Sequence, residues 1–87
     1  MKKNSQNIYR LIKNILSDNF TFIDINNVSL KSKLREDLGL DSVSLINFQI
    51  LIEDEFDIRF NPIEDDITRI FYDINSLVDY LEKRTDV

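Results

Sequence analysis

Three segments of this chain place apolar residues at the three- and four-residue spacing of an α-helix. The first predicts a helix over 5–17, the second a helix over 42–57, and the third a last helix capped by Asp73. A short helix capped by Asp65 or Asp66 is expected just before the last one. We therefore predict an all-α fold, a bundle of three main helices and one short helix, with a long loop after helix one.

The connection after the first helix, residues 18–41, lacks long helical periodicity but is rich in large apolar residues. We expect it to be fixed across the core, because a long unstructured loop is unusual in a compact domain. One short helical turn is expected at 29–34. A strand over 20–25 is rejected, since a lone strand leaves its backbone groups without partners. All six phenylalanines are expected in the core, namely Phe20, Phe22, Phe48, Phe56, Phe60 and Phe71.

The second predicted helix carries two apolar stripes on nearly opposite faces. The stripe expected to face the core consists of Leu45, Phe48, Ile52 and Phe56. The other stripe consists of Val43, Ile46 and Ile50. If the helix lies at the edge of the bundle, this second stripe is exposed and offers a docking surface near Asn47, Glu53 and Asp54. If the helix is central, both stripes are buried; the sequence leaves that alternative open.

Composition excludes several kinds of site. The chain has 87 residues, enough for one small domain with a core over about 5–84. It has no histidine and no cysteine, so it lacks the usual general base and any thiolate ligand, and we expect no metal site. Asp24, Asn26 and Asn27 lack the glycine and the final glutamate of a calcium loop.

No signal peptide or membrane segment is visible, so we expect a cytoplasmic protein that does not enter a membrane.

Charge is unevenly distributed along the chain. Residues 1–35 contain seven basic and two acidic side chains, whereas residues 36–66 contain ten acidic and one basic. The acidic middle argues against nucleic acid as a partner, because phosphates repel it. It favours a basic protein surface, although an acidic face that only keeps the protein soluble is the alternative.

The only glycine, Gly39, comes shortly before Asp41 and Ser42 at the start of the second predicted helix. Gly39 can adopt a positive φ, and Asp41 is a good N-cap. Ser42 then lies in the first turn, where an attached phosphate is favoured by the helix dipole. Asp-Ser pairs are also common as simple caps. A hydrolase that uses Ser42 lacks a base, whereas a serine modified by another enzyme needs none.

Three blocks of sequence resemble the acyl carrier proteins and related peptidyl carrier domains. They are residues 34–42, 53–58 and 73–81, and the likeness covers nearly the whole chain. It implies a four-helix carrier that is not an enzyme. A phosphopantetheinyl transferase would attach the 4'-phosphopantetheine of coenzyme A to Ser42, beside Asp41. The thiol of that arm would hold an acyl or aminoacyl group as a thioester.

The resemblance also implies how such a carrier meets its partners. The family docks its second helix on basic patches of enzymes that load and process the cargo. The matching positions are Asp41, Val43, Ile46, Ile50, Glu53 and Asp54. The family commonly has leucine where Val43 stands, and many fatty-acid carriers have acids where Ser44 and Asn47 stand. Fatty-acid, polyketide and other specialised biosynthesis therefore all stay open, and a monomer is expected. The alternative is an interaction domain without the arm.

Overall fold

The computed structural model describes residues 5–85, and four α-helices form most of this part of the chain. The helices are α1 (Ser5–Asn19), α2 (Ser42–Phe56), α3 (Ile67–Ile70) and α4 (Ile74–Thr85). Extended pairing within residues 5–85 is limited to one isolated antiparallel bridge, between Lys33 and Asp73. The prediction of an all-α bundle with one short helix is therefore confirmed. None of the helices in this part is both long and apolar enough to cross a membrane.

Aspartates cap the two last helices, as the sequence predicts. The Asp66 carboxylate accepts a hydrogen bond from the Arg69 backbone N–H, and Asp73 accepts one from Ser76 at 2.7 Å. Each carboxylate satisfies an N–H that has no partner within its own helix. Of the two candidates for the cap of α3, the structure selects Asp66.

The apolar stripes of the helices meet in one core. α1 packs against α4 and α2, and α3 packs against α4. The fully buried large side chains include Ile8, Ile12, Leu16, Phe48, Ile52, Leu77 and Leu81. Leu45, expected in the core, is half-buried and packs against the cluster.

The second stripe of α2 is exposed. Val43, Ile46 and Ile50 expose 67%, 56% and 51% of their surface. Helix α2 therefore lies at the edge of the bundle, and the alternative with both stripes buried is wrong for this chain.

The connection before α2 is fixed to the rest of the bundle, as expected. It buries Phe20, Val28, Leu34, Leu38 and Leu40. Its backbone is also tied to the segment before α4. The Leu34 N–H donates to the Tyr72 carbonyl (3.1 Å), and the Ile74 N–H donates to the Ser32 carbonyl (3.0 Å). These contacts pin the chain just before Gly39, Asp41 and Ser42.

The connection contains a helical element that the sequence did not predict. Residues 29–34 form one hydrogen-bonded turn, as expected, and the bridge at Lys33 follows it. A 3₁₀ helix lies earlier, at Ile25–Asn27. Its cause is local, because the Asp24 carboxylate accepts the Asn26 N–H (3.0 Å) and holds the turn.

The placement of Phe22 in the core is also wrong. Its side chain is 62% exposed, although it contacts the Phe20 ring edge-on with a centroid separation of 6.2 Å. The chain turns here, with the Ile23 N–H donating to the Phe20 carbonyl (3.0 Å), and only Phe20 points inward. The other phenylalanines are buried, apart from the half-buried Phe60.

Candidate functional site

Ser42 is the first residue of α2, and its side chain is exposed. The preceding turn depends on Gly39, whose φ is +75°, in the region where a Cβ is disfavoured. Leu40 is buried and anchors the turn. The Asp41 carboxylate caps α2 by accepting the Ser44 N–H at 2.8 Å. Backbone and cap together thus hold the Ser42 hydroxyl at the surface.

The electrostatics of this turn favour an ionised cap. Hydrogen bonding from Ser44, first of all from its backbone N–H, lowers the pKa of Asp41 below its ordinary value of 3.8. The positive charge of Arg35 adds a smaller effect in the same direction. Asp41 therefore carries a negative charge next to Ser42 at neutral pH.

The Ser42 hydroxyl has no activating partner in the part of the chain that the structure describes. No hydrogen bond to it is formed among these residues, and the sequence contains no histidine. Within residues 5–85 no group of three acidic side chains is arranged to hold a metal ion. None of the described residues therefore activates this hydroxyl as a nucleophile.

A cavity of about 410 Å³ opens beside Ser42, between α2, α3 and the segment 33–36. Part of its wall is apolar and is formed by Leu45, Ile46, Ile67 and Phe71. The remainder is polar and is formed by Lys33, Arg35, Glu36, Gln49, Thr68 and Tyr72. The start of a helix favours an anion, and the apolar part of the wall favours an apolar or flexible chain. The cavity beside Ser42 therefore offers surfaces for both.

The two cations of this wall were not predicted as site residues. Lys33 forms an ion pair with Glu36 (3.3 Å), and its ammonium lies 5.5 Å from the centre of the Tyr72 ring. Tyr72, and then Glu36, raise the pKa of Lys33. By contrast, Arg35 has no hydrogen bond or ion pair to its guanidinium among the described residues. No local sequence pattern identifies Lys33 or Arg35 as a site residue, because only the packing of the helices brings segment 33–36 next to α2.

The predicted docking residues lie along the exposed side of α2. Val43, Ile46 and Ile50 form the exposed stripe, and Asn47 and Asp54 are exposed as well.

Glu53 differs from the other predicted docking residues. Its side chain is only 17% exposed, and its Oε2 accepts the Phe60 backbone N–H at 2.8 Å. The Glu53 carboxylate is thus used within the chain, and its contact with a partner stays a prediction.

Comparison with known protein families gives one extended match. The model of the family described as "Phosphopantetheine attachment site" matches residues 10–82, which include the turn at Gly39, Ser42, α2 and the cavity.

Similar proteins agree with that match. An acyl carrier protein of Phytoplasma mali is 29% identical over 79 residues, which are 91% of this chain and 89% of the relative. One of Desulforapulum autotrophicum is 30% identical over 74 residues, 85% of this chain and 92% of the relative. The solved structure of the acyl carrier protein of Enterococcus faecalis superposes with a TM-score of 0.72 at 25% identity. That match covers 93% of this chain and 98% of the other.

Proposed function

The chain belongs to the phosphopantetheine attachment site family of acyl carrier proteins, and from this premise we propose that Ser42 is the attachment residue. Proteins of this kind are carriers and not catalysts. They hold 4'-phosphopantetheine covalently, and its terminal thiol carries the acyl group as a thioester. The arm therefore supplies the thiol that this chain, which has no cysteine, does not contain.

The observation that carries this proposal is the exposure of Ser42 at the start of α2, where it also lines the cavity. Ser44 lies in the same turn, but it is half-buried and its N–H is bonded to Asp41. Ser32 is buried and its Oγ accepts the Ser29 N–H. Among these serines, Ser42 alone combines an accessible hydroxyl with a position at which an anion is favoured.

The attachment reaction balances without a catalytic group from this chain. The Ser42 oxygen forms a bond to the phosphorus that bears pantetheine, and the pyrophosphate bond of coenzyme A breaks. Adenosine 3',5'-bisphosphate leaves, and the hydroxyl proton passes to a base of the transferase, since no histidine is present here. Asp41 stays hydrogen-bonded to Ser44 and keeps the turn in place.

Acyl carrier proteins interact with phosphopantetheinyl transferases and with biosynthetic enzymes. For this chain we propose that the exposed stripe Val43, Ile46 and Ile50 contacts those enzymes, with Asn47 and Asp54 beside it. Apolar side chains beside a neutral amide and an acid fit a partner surface that has an apolar centre and a polar rim with a basic group. We further propose that residues 5–84 are the carrier unit, which acts as a monomer in the cytoplasm.

Intact-mass measurement tests the attachment residue. The protein is incubated with coenzyme A, magnesium and a broad-specificity phosphopantetheinyl transferase. We expect the wild type and Ser44→Ala to gain one phosphopantetheinyl group, and Ser42→Ala to gain none. An unmodified wild type would contradict the proposal, and so would a modified Ser42→Ala. The interaction domain without an arm, which the sequence left open, is not favoured by the family match.

A further inference from the structure

The Arg35 side chain is an unpaired cation in the wall of the cavity that also contains Ser42. Within the described part of the chain, no acceptor forms a hydrogen bond or an ion pair with its guanidinium. Its charge nevertheless acts on Asp41, the residue next to Ser42, whose pKa it helps to lower. A cation whose guanidinium has no hydrogen bond or ion pair among the described residues thus lines the same cavity as Ser42.

The neighbouring cation, Lys33, is already occupied. Its ammonium pairs with the Glu36 carboxylate at 3.3 Å and lies against the Tyr72 ring. Because Glu36 and Lys33 balance each other, the positive charge of this wall rests on Arg35. Lys31, two residues before Lys33, is exposed and does not line the cavity.

We propose that Arg35 binds the phosphodiester formed on Ser42 and so turns the beginning of the arm toward the cavity between α2 and α3. This inference rests on Ser42 being the attachment residue. Arg35 is a positioning residue here: it takes no part in forming or breaking a bond.

Charge and geometry both support this role. The new phosphodiester adds a negative charge to the residue that follows ionised Asp41, and like charges on adjacent residues repel each other. A planar guanidinium offers several N–H donors in a fixed fork, which matches the oxygens of a phosphate group. Arg35 can therefore offset the repulsion and restrict the phosphate at the same time. Without it, we expect the phosphodiester to be less restricted in its motion.

Phosphorus-31 NMR of the fully modified protein tests the proposal. The transverse relaxation rate of the phosphodiester reports its motion on the picosecond to nanosecond scale. In Arg35→Gln we expect this rate to fall toward that of phosphate in free coenzyme A. Lys31→Gln removes the same charge outside the cavity and is expected to leave the rate unchanged. Arg35→Lys keeps the charge and is expected to regain part of the loss.

A second measurement follows Arg35 itself. Its Nε–H signal is expected to shift when the wild type is converted to the modified form, and to stay in place in Ser42→Ala treated in the same way. The proposal is overturned if the signal does not move, or if Arg35→Gln and Lys31→Gln change the phosphorus relaxation equally. Absence of any modification of the wild type would instead contradict the attachment at Ser42, so the two failures are distinguishable.

Discussion

At the amino-terminal end of α2, the Ser42 hydroxyl and the Arg35 guanidinium have no hydrogen-bond partners among residues 5–85. At the carboxyl-terminal end, both the carbonyl and the carboxylate of Glu53 are used within the chain. The Glu53 carbonyl accepts the N–H of Asp57, which adopts the left-handed conformation with φ of 53°, and the Glu53 carboxylate accepts the Phe60 N–H. Groups without partners therefore lie at or beside the start of α2, whereas the groups of Glu53 near its end are bonded within the chain.

Further contacts close the carboxyl-terminal end. Arg84 donates to the Arg59 carbonyl (2.8 Å) and to the Tyr80 hydroxyl, while that hydroxyl donates to Asp65 (3.2 Å). Burial, opposed by Arg84, raises the pKa of Tyr80. Contacts that stabilise the fold and groups that could bind a ligand are thus separated along α2. The far end holds the loop after the helix, and the near end keeps a hydroxyl and a cation free for a ligand.

The largest effect on stability is expected from the core residue Phe48, which lies between the two ends of α2. Phe48 is fully buried, and its ring meets Phe20 and Phe71 edge-on at 6.0 and 5.8 Å. We predict that Phe48→Ala lowers the free energy of unfolding by about 3–5 kcal/mol, since a cavity replaces the ring. Urea unfolding measures it. Phe22→Ala, which removes an exposed ring, should cost less than about 1 kcal/mol. Equal losses would contradict the assignment of the two rings.

The carboxyl-terminal end of α2 is tested by replacing two adjacent acidic residues, Glu53 and Asp54, one at a time. Glu53→Ala removes the acceptor of the Phe60 N–H, and we predict a loss of about 1–3 kcal/mol, as for a hydrogen bond to a charged group. The exposed Asp54 lies near the negative end of the helix dipole, so Asp54→Ala should change stability by less than about 0.5 kcal/mol. Chemical unfolding at one pH compares them. If Asp54→Ala lowers the free energy of unfolding as much as Glu53→Ala does, the lost hydrogen bond from the Phe60 N–H does not explain the effect of Glu53→Ala.

A smaller effect is expected at the amino-terminal end of α2, in how the stabilisation by the Asp41 cap changes with pH. The folded-state pKa of Asp41 is lowered from 3.8, so its contribution is complete above that value and is lost as pH falls through the lowered pKa. Asp41→Asn keeps an acceptor at the N-cap but has no charge to lose. We predict that the stability advantage of the wild type over Asp41→Asn shrinks below pH 3.8. Unfolding curves across this range measure it; an advantage that grows toward acid would have the wrong sign.

The smallest effect on stability is expected on the exposed stripe. Ile46→Glu should change the free energy of unfolding by no more than about 0.5 kcal/mol, because the side chain is already 56% exposed. It should, however, raise the KM of the phosphopantetheinyl transferase for the carrier. Ile63→Glu makes the same chemical change in the loop before α3, away from the stripe, and serves as the control. A large loss of stability in Ile46→Glu would show that this side chain is needed in the core.

Much of this arrangement follows from local sequence. The helices were predictable because their apolar spacing is long and regular, and the caps Asp41 and Asp73 were predictable because a carboxylate before a helix satisfies a free N–H. The positive φ of Gly39 followed from the same turn. All of these features depend on residues within one turn of each other.

Some of the incorrect or missing predictions depend on a particular turn, and others on contacts between distant segments. Phe22 is as apolar as Phe20, and only the turn between them decides which ring is buried. The use of Glu53 depends on the chain reversing after Asp57, and the place of Arg35 depends on how segment 33–36 meets α2. Composition and periodicity contain no information about such distances.

The strap formed by residues 30–34 has a mechanical consequence. Three backbone bonds join it to the α3–α4 junction, including that from the Asn75 N–H to the Leu30 carbonyl (2.8 Å). Lys33, in one wall of the cavity, is therefore held to the α3–α4 junction by backbone bonds of both its neighbours, Ser32 and Leu34. A substitution that weakens these bonds is expected to disturb that wall of the cavity beside Ser42 without contacting Ser42 itself.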